Sequence, residues 1–143
     1  MTESLSPVLA ARLGYQLKAL HGRLTAAVTR AIGSLDIDVR DLAVLAVLLA
    51  EPPMSQADAG RRLGQDRTTM VATVDRLESR GLLERRADPA DRRRNLLQVT
   101  AAGRRLHERG ERARAGAEAS VLAALSADEV AVLRRLLGRL TQA

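Results

Sequence analysis

A mainly α-helical fold with one small β-hairpin is what this sequence predicts, on three observations. Aromatic side chains are confined to Tyr15, with no Phe or Trp, so Leu, Val, Ala and Ile must fill the core along helical stripes. Apolar residues recur at three- and four-residue steps through most of the chain. That rhythm changes after Gly81, where two strand-length pieces flank Asp88-Pro89-Ala90-Asp91, with proline at a favoured turn position.

Ser6-Pro7 supplies an N-cap and a first-turn proline. Leu13, Leu17, Leu20, Leu24, Ala27 and Ala31 then predict one long helix of about 26 residues, roughly 39 Å, ended by Gly33. Asp38 and Asp41 make a capping arrangement for a helix running to Glu51, where Pro52-Pro53 stops it. Ser55 and Asp58 start a short helix that Gly64 ends. Asp66 caps the next, whose core positions Met70, Val74 and Leu77 are spaced i, i+4, i+7 before Gly81. Two short helices separated only by Gly64-Gln65-Asp66 are a helix-turn-helix candidate. The hairpin pairs Leu82–Arg86 with Asn95–Val99 across an arginine-rich loop. Thr100 caps a helix from about Ala101 to Leu125, and Ser126 with Glu129 forms a capping box for a last helix striped by Leu133, Leu136, Leu137 and Leu140.

The length of 143 residues fits one domain or one domain with dimerisation arms. The divisions expected are residues 1–37 as an N-terminal dimerisation helix, 38–100 as the lobe that holds the helix-turn-helix and the hairpin, and 101–143 as C-terminal dimerisation helices. At 46% hydrophobic and 28% charged residues, the composition is that of a folded soluble chain. The longest uncharged apolar run, Leu42 to Ala50, is too short to cross a bilayer. The start MTESLSPVLA has no basic region ahead of an apolar one, so no secretory signal is expected, and the predicted location is cytoplasmic.

The absence of Cys excludes disulfides, thiolate metal sites and a cysteine nucleophile or redox sensor. Two distant histidines, His21 and His107, cannot build a metal site unaided, so neither a metal nor a cofactor is expected. His107 is expected to be exposed. No G-x-x-x-x-G-K, G-x-G-x-x-G, G-x-S-x-G or H-E-x-x-H motif is present, which argues against an enzyme and leaves no catalytic residue to name. The near-absence of aromatics also argues against an RNA or single-strand binder built on base stacking.

The net charge of +6 is concentrated. Arg61 to Arg114 holds 15 Arg against 8 acidic residues, a balance of +7, and the remainder of the chain is slightly acidic. A helix-turn-helix followed by a basic hairpin is a winged helix: the helix fits the major groove of double-stranded DNA while the hairpin reaches a phosphate or the minor groove. With Met70, Val74 and Leu77 facing the core, Arg67, Thr68, Thr69, Ala72, Thr73 and Arg76 are the candidate DNA-contacting residues of the second helix. The first turn also offers helix N–H groups to phosphate. Arg92, Arg93 and Arg94 are the candidates at the hairpin tip, with Arg85 and Arg86 nearby and Asp91 as a structural anchor.

The stretch from Met54 to Leu106 resembles the winged-helix core of the MarR family of bacterial transcription regulators. The pieces LGQDRTTM, VDRLESRGLLERR and DPADRRR, followed by LQVT and AAG, carry the resemblance. The flanking long helices are similar to that family's dimer arms in length and order. The resemblance implies a homodimer with intertwined first and last helices, bound to a pseudo-palindromic operator as a repressor. Two recognition helices would enter successive major grooves about 34 Å apart. It further implies that Arg93 enters the minor groove and that Asp91 pairs with an arginine to hold the wing. Release by a small aromatic or phenolic effector between arms and lobe is also implied, with Tyr15, His21 and Arg23 as the ligand-binding candidates. The chain departs from the family pattern at Val71-Ala72, where Thr-Arg is frequent, and at Ala59-Gly60, where Leu-Ala is usual. The alternatives are a winged-helix protein acting through protein contacts, which a neutral wing would mark, and a ligand-independent DNA binder.

Overall fold

The computed structural model describes residues 6–142; the leader reading of the first five positions lies outside the described residues. The order of elements is α1 (Pro7–Ala10), α2 (Leu13–Ile32), a 3-10 turn (Gly33–Leu35), α3 (Val39–Ala50), α4 (Gln56–Leu63) and α5 (Arg67–Ser79). The hairpin β1 (Leu83–Ala87) and β2 (Asn95–Val99) follows, then α6 (Ala101–Val121) and α7 (Ala127–Thr141).

The single long first helix expected from the leucine spacing is broken. Arg12 adopts extended backbone (φ −83°, ψ 129°) and caps α2, leaving α1 as one turn. Gly14, two positions on, is a poor helix former in the new first turn. Nothing of the α1–α2 junction is buried, so packing does not oppose the break. Gly33 does not reverse the chain either. It stays right-handed at φ −57°, and Asp36, at φ 54°, makes the left-handed turn. Short polar side chains tolerate that region better than other non-glycine residues.

The capping signals correspond to real bonds. Asp38 and Asp41 form a reciprocal capping box at the start of α3, as do Ser126 and Glu129 at α7. Ser55, Asp66 and Thr100 each accept the N–H three residues on, from Asp58, Thr69 and Gly103. Gly64 (φ 61°) and Gly81 (φ 67°) supply the left-handed turns after α4 and α5. The helix after Thr100 is shorter than expected, ending at Val121.

The strands pair antiparallel with Leu83 opposite Val99, Arg85 opposite Leu97 and Ala87 opposite Asn95. Leu97 also donates its N–H to the Met54 carbonyl at 2.9 Å, tying the hairpin to the segment before α4. Ile32, Val44, Leu45, Met70, Val74, Leu77 and Leu83 form the centre of an aliphatic core to which α2, α3, α5 and β1 contribute. Gly60 is buried between α4 and α5, where an added Cβ would sit at an ordinary 3.5 Å from Met70 Cγ, so space does not demand the glycine.

The long helices carry apolar surface that this chain does not cover. No residue of α7 is buried, and Val132, Leu136 and Leu140 stand 43%, 44% and 72% exposed. On α2, Leu13 and Leu17 are similarly open. Arg134 of α7 reaches Glu118 of α6 at 2.7 Å. No helix among the described residues is long and apolar enough to cross a membrane.

Candidate nucleic-acid interface

Helix α5 begins at Asp66, whose carboxylate accepts the Thr69 N–H at 2.9 Å and the Thr69 hydroxyl at 2.7 Å. The Thr69 backbone bond first, then its hydroxyl, holds the Asp66 carboxyl below the usual carboxylate range. The Thr69 hydroxyl is therefore occupied locally, and the charge of the cap offsets the attraction for phosphate expected at this helix end. Arg67, Thr68 and Ala72 are exposed.

Thr73 is not at the surface. It is 3% exposed, and its hydroxyl donates to the Thr69 carbonyl at 3.0 Å. Positions 70, 73, 74 and 77 share one helical face, so Thr73 turns inward with the core residues. Arg76 is bound as well: its Nη2 donates to Asp41 Oδ1 at 2.6 Å and to Asp38 Oδ2 at 3.1 Å. Asp41 is only 1% exposed, and its hydrogen bond holds the Arg76 proton more firmly than usual despite partial burial.

The wing is built by its own backbone. Asp88 N–H donates to the Arg94 carbonyl and Arg94 N–H to the Asp91 carbonyl, both at 2.9 Å. Asp91 Oδ1 accepts the Arg93 N–H at 3.0 Å, a local turn bond. The arginine partner implied for Asp91 is not found among the ion pairs of the described residues. The wing arginine that is held, Arg94, pairs instead with Asp58 of α4 at 3.2 Å. Asp58 also receives the Ser55 hydroxyl at 2.6 Å and the Arg61 guanidinium. The Ser55 bond, above all, lowers its carboxyl pKa against the opposing effect of desolvation, with help from Arg61 and Arg94. Arg92 and Arg93 are exposed and have no ion-pair partner among the described residues.

Sequence reasoning missed a second anchor. Arg85 of β1 donates to Gln56 of α4 at 3.0 Å, to Asp75 of α5 at 2.6 Å and to Glu78 of α5. One residue thus locks the strand to both helices of the helix-turn-helix. Beside it, a cleft of about 650 Å³ is lined by Arg61, Arg67, Arg85 and Asn95. The end of α4, the start of α5 and the hairpin therefore open onto one concave, basic surface.

On the arm, Tyr15, Lys18 and Arg23 line a groove of about 450 Å³ along α2. His21 is exposed on an adjoining face and does not line it. His107, expected to be exposed, is half-buried, with Nε2 buried and unpaired among the described residues. It follows Leu106 on the side of α6 that buries Gly103, Leu106 and Gly110, so the edge of that packed face covers it.

A helix-turn-helix with an exposed first turn, joined to a basic antiparallel hairpin, defines a winged-helix DNA-binding module. The chain belongs to the MarR family of transcription regulators. The family's sequence pattern matches residues 35–94. The HTH-type transcriptional repressor Rv2887 of Mycobacterium tuberculosis is 30% identical over 130 residues, covering 91% of this chain and 94% of that protein. The PcaV transcriptional regulator of Streptomyces coelicolor, solved with its natural ligand, superposes with a TM-score of 0.77 at 36% identity, covering 98% of this chain and 99% of that one. The repressor CouR, solved on a 23-mer DNA duplex, superposes with a TM-score of 0.86 at 29% identity, covering 96% and 99%. CouR of Rhodococcus jostii has also been solved with p-coumaroyl-CoA.

Proposed function

We propose that the chain is a homodimeric repressor that binds a pseudo-palindromic operator in double-stranded DNA and is released by a small aromatic or phenolic effector. The observation that carries this reading is the concave surface shared by Arg61, Arg67 and the hairpin, whose tip carries Arg92 and Arg93 exposed and without an ion-pair partner among the described residues. Free guanidiniums at a hairpin tip can neutralise phosphate or enter a minor groove without first breaking an internal ion pair. Arg67, Thr68, Thr69 and Ala72 would meet the major groove, and Arg92, Arg93 and Arg94 the flanking backbone. No catalytic role is assigned to any residue, and such a regulator works in the bacterial cytoplasm.

The uncovered leucines of α2 and α7 support pairing of the arms with a second copy. The groove beside Tyr15, Lys18 and Arg23 offers one ring and two cations, which suits a small aromatic anion, with His21 one turn from Lys18. The ligand complexes of PcaV and CouR support this part of the reading.

Replacing Arg93 by alanine tests the wing. Operator affinity is expected to fall about tenfold at matched salt, with the dimer and its thermal midpoint unchanged. Unaltered affinity would remove Arg93 from the interface.

A further inference from the structure

Arg76 lies in the last turn of α5 and Arg80 caps its C-terminal end, and both reach the segment from the 3-10 turn to the start of α3. The capping box of α3 uses one oxygen of each carboxylate: Asp38 Oδ1 accepts the Arg40 and Asp41 N–H groups, and Asp41 Oδ2 accepts the Asp38 N–H. The two oxygens left over, Asp38 Oδ2 and Asp41 Oδ1, are the two that Arg76 binds. Arg80 donates to the Asp36 carbonyl and to the Leu35 carbonyl at 3.4 Å, with the Asp36 carboxylate 3.7 Å away. The segment gripped runs from the 3-10 turn through left-handed Asp36 into the capping box, so its conformation is fixed by its own hydrogen bonds.

We propose that Arg76 and Arg80 are positioning residues for DNA reading: they key the recognition helix to the α2–α3 link, so that the angle of α5 follows the long arm helix. A guanidinium shared between a buried and a half-buried carboxylate cannot leave for a base edge without stranding Asp41 in the interior. Arg76 thus sets where the first turn of α5 points, and Arg67 and Thr68 do the reading. The same grip gives the arm mechanical purchase on the recognition helix, since movement of α2 reaches α5 through these bonds. The inference rests on the DNA-binding reading above.

The test uses Arg76→Gln, Asp41→Asn, the double variant and Arg80→Gln. Each is titrated by fluorescence anisotropy against a duplex enriched from random DNA by the wild-type chain and against a scrambled duplex, over a salt series. Each single variant is expected to lose about tenfold in preference for the enriched duplex, with the slope of affinity against salt unchanged. The double variant is expected to be no worse than Arg76→Gln alone, because both changes break one link. If Arg76 touched a phosphate, its loss would reduce the salt slope by about one, and if it read a base edge, Asp41→Asn would free it and strengthen binding; either result overturns the proposal. Arg80→Gln removes only surface donors, so it tests the grip even where Asp41→Asn does not fold, and wild-type preference in that variant also overturns it. A wild-type chain that enriches no sequence would instead overturn the DNA-binding reading itself.

Discussion

Gly103→Ala is expected to destabilise the chain by about 3 kcal/mol or more, among the largest effects a single methyl group can have. The added Cβ would lie 1.9 Å from the Leu82 carbonyl oxygen and 2.7 Å from Val99 Cγ1. The nearer atom is backbone, and it is already fixed as the acceptor of the Thr100 N–H at 3.1 Å. Neither α6 nor the hairpin can yield without losing that bond or the Thr100 cap. Gly110→Ala provides the contrast. Its Cβ would meet Leu42 Cδ1 at 2.6 Å, the far end of a side chain that can rotate, so a smaller loss is expected. Urea unfolding of both variants measures the difference; equal stabilities for Gly103→Ala and wild type would mean that the α6–hairpin contact is looser than described.

Truncation after Leu125 is expected to turn the dimer into monomeric or aggregating protein. The deletion removes Val132, Leu136 and Leu140, which this chain leaves open. Burying an apolar side chain of this size contributes about 1.5–3 kcal/mol. Losing three on each arm would raise the dissociation constant by at least about a thousandfold, or roughly 4 kcal/mol. Within the chain, α7 is held to α6 by the Arg134–Glu118 pair, an exposed contact of the kind that contributes little. The helix therefore gains its stability from the partner proposed for it. Sedimentation velocity at micromolar concentration reads the outcome, and a well-folded dimer from the truncated chain would refute the arm model.

Much of the architecture was legible because short polar residues announce helix starts by local bonds. Asp38 with Asp41, Ser55, Asp66, Thr100 and Ser126 each bind an N–H two or three residues away, a geometry that sequence spacing alone describes. The core face of α5 was legible for the same reason, since Met70, Val74 and Leu77 repeat with the helix. Thr73 departs from the surface position its polar type predicts, because a helical threonine can satisfy its hydroxyl on the carbonyl four residues back and turn inward.

What sequence spacing could not describe was long-range pairing between charges. Arg76 meets Asp41 across 35 positions, and Arg94 meets Asp58 across 36. The arginine-rich stretch offered many candidates, and only the fold selects which are spent on internal carboxylates. That selection leaves Arg67, Arg92 and Arg93 exposed without such a partner among the described residues. The break at Arg12 has no sequence signal of its own: the apolar stripe begins only at Leu13, and the backbone turns at a place where nothing is buried.

The claim on which the account depends is that this basic surface reads a particular DNA sequence. Fluorescence anisotropy of the purified dimer on duplex DNA from upstream of its own gene, with scrambled competitor and a salt series, tests it most directly. The account predicts tight, competitor-resistant binding that weakens steeply with salt, as neutralisation of about 6–10 phosphates requires. No binding even at low salt would contradict it and point to a winged helix that works through protein contacts.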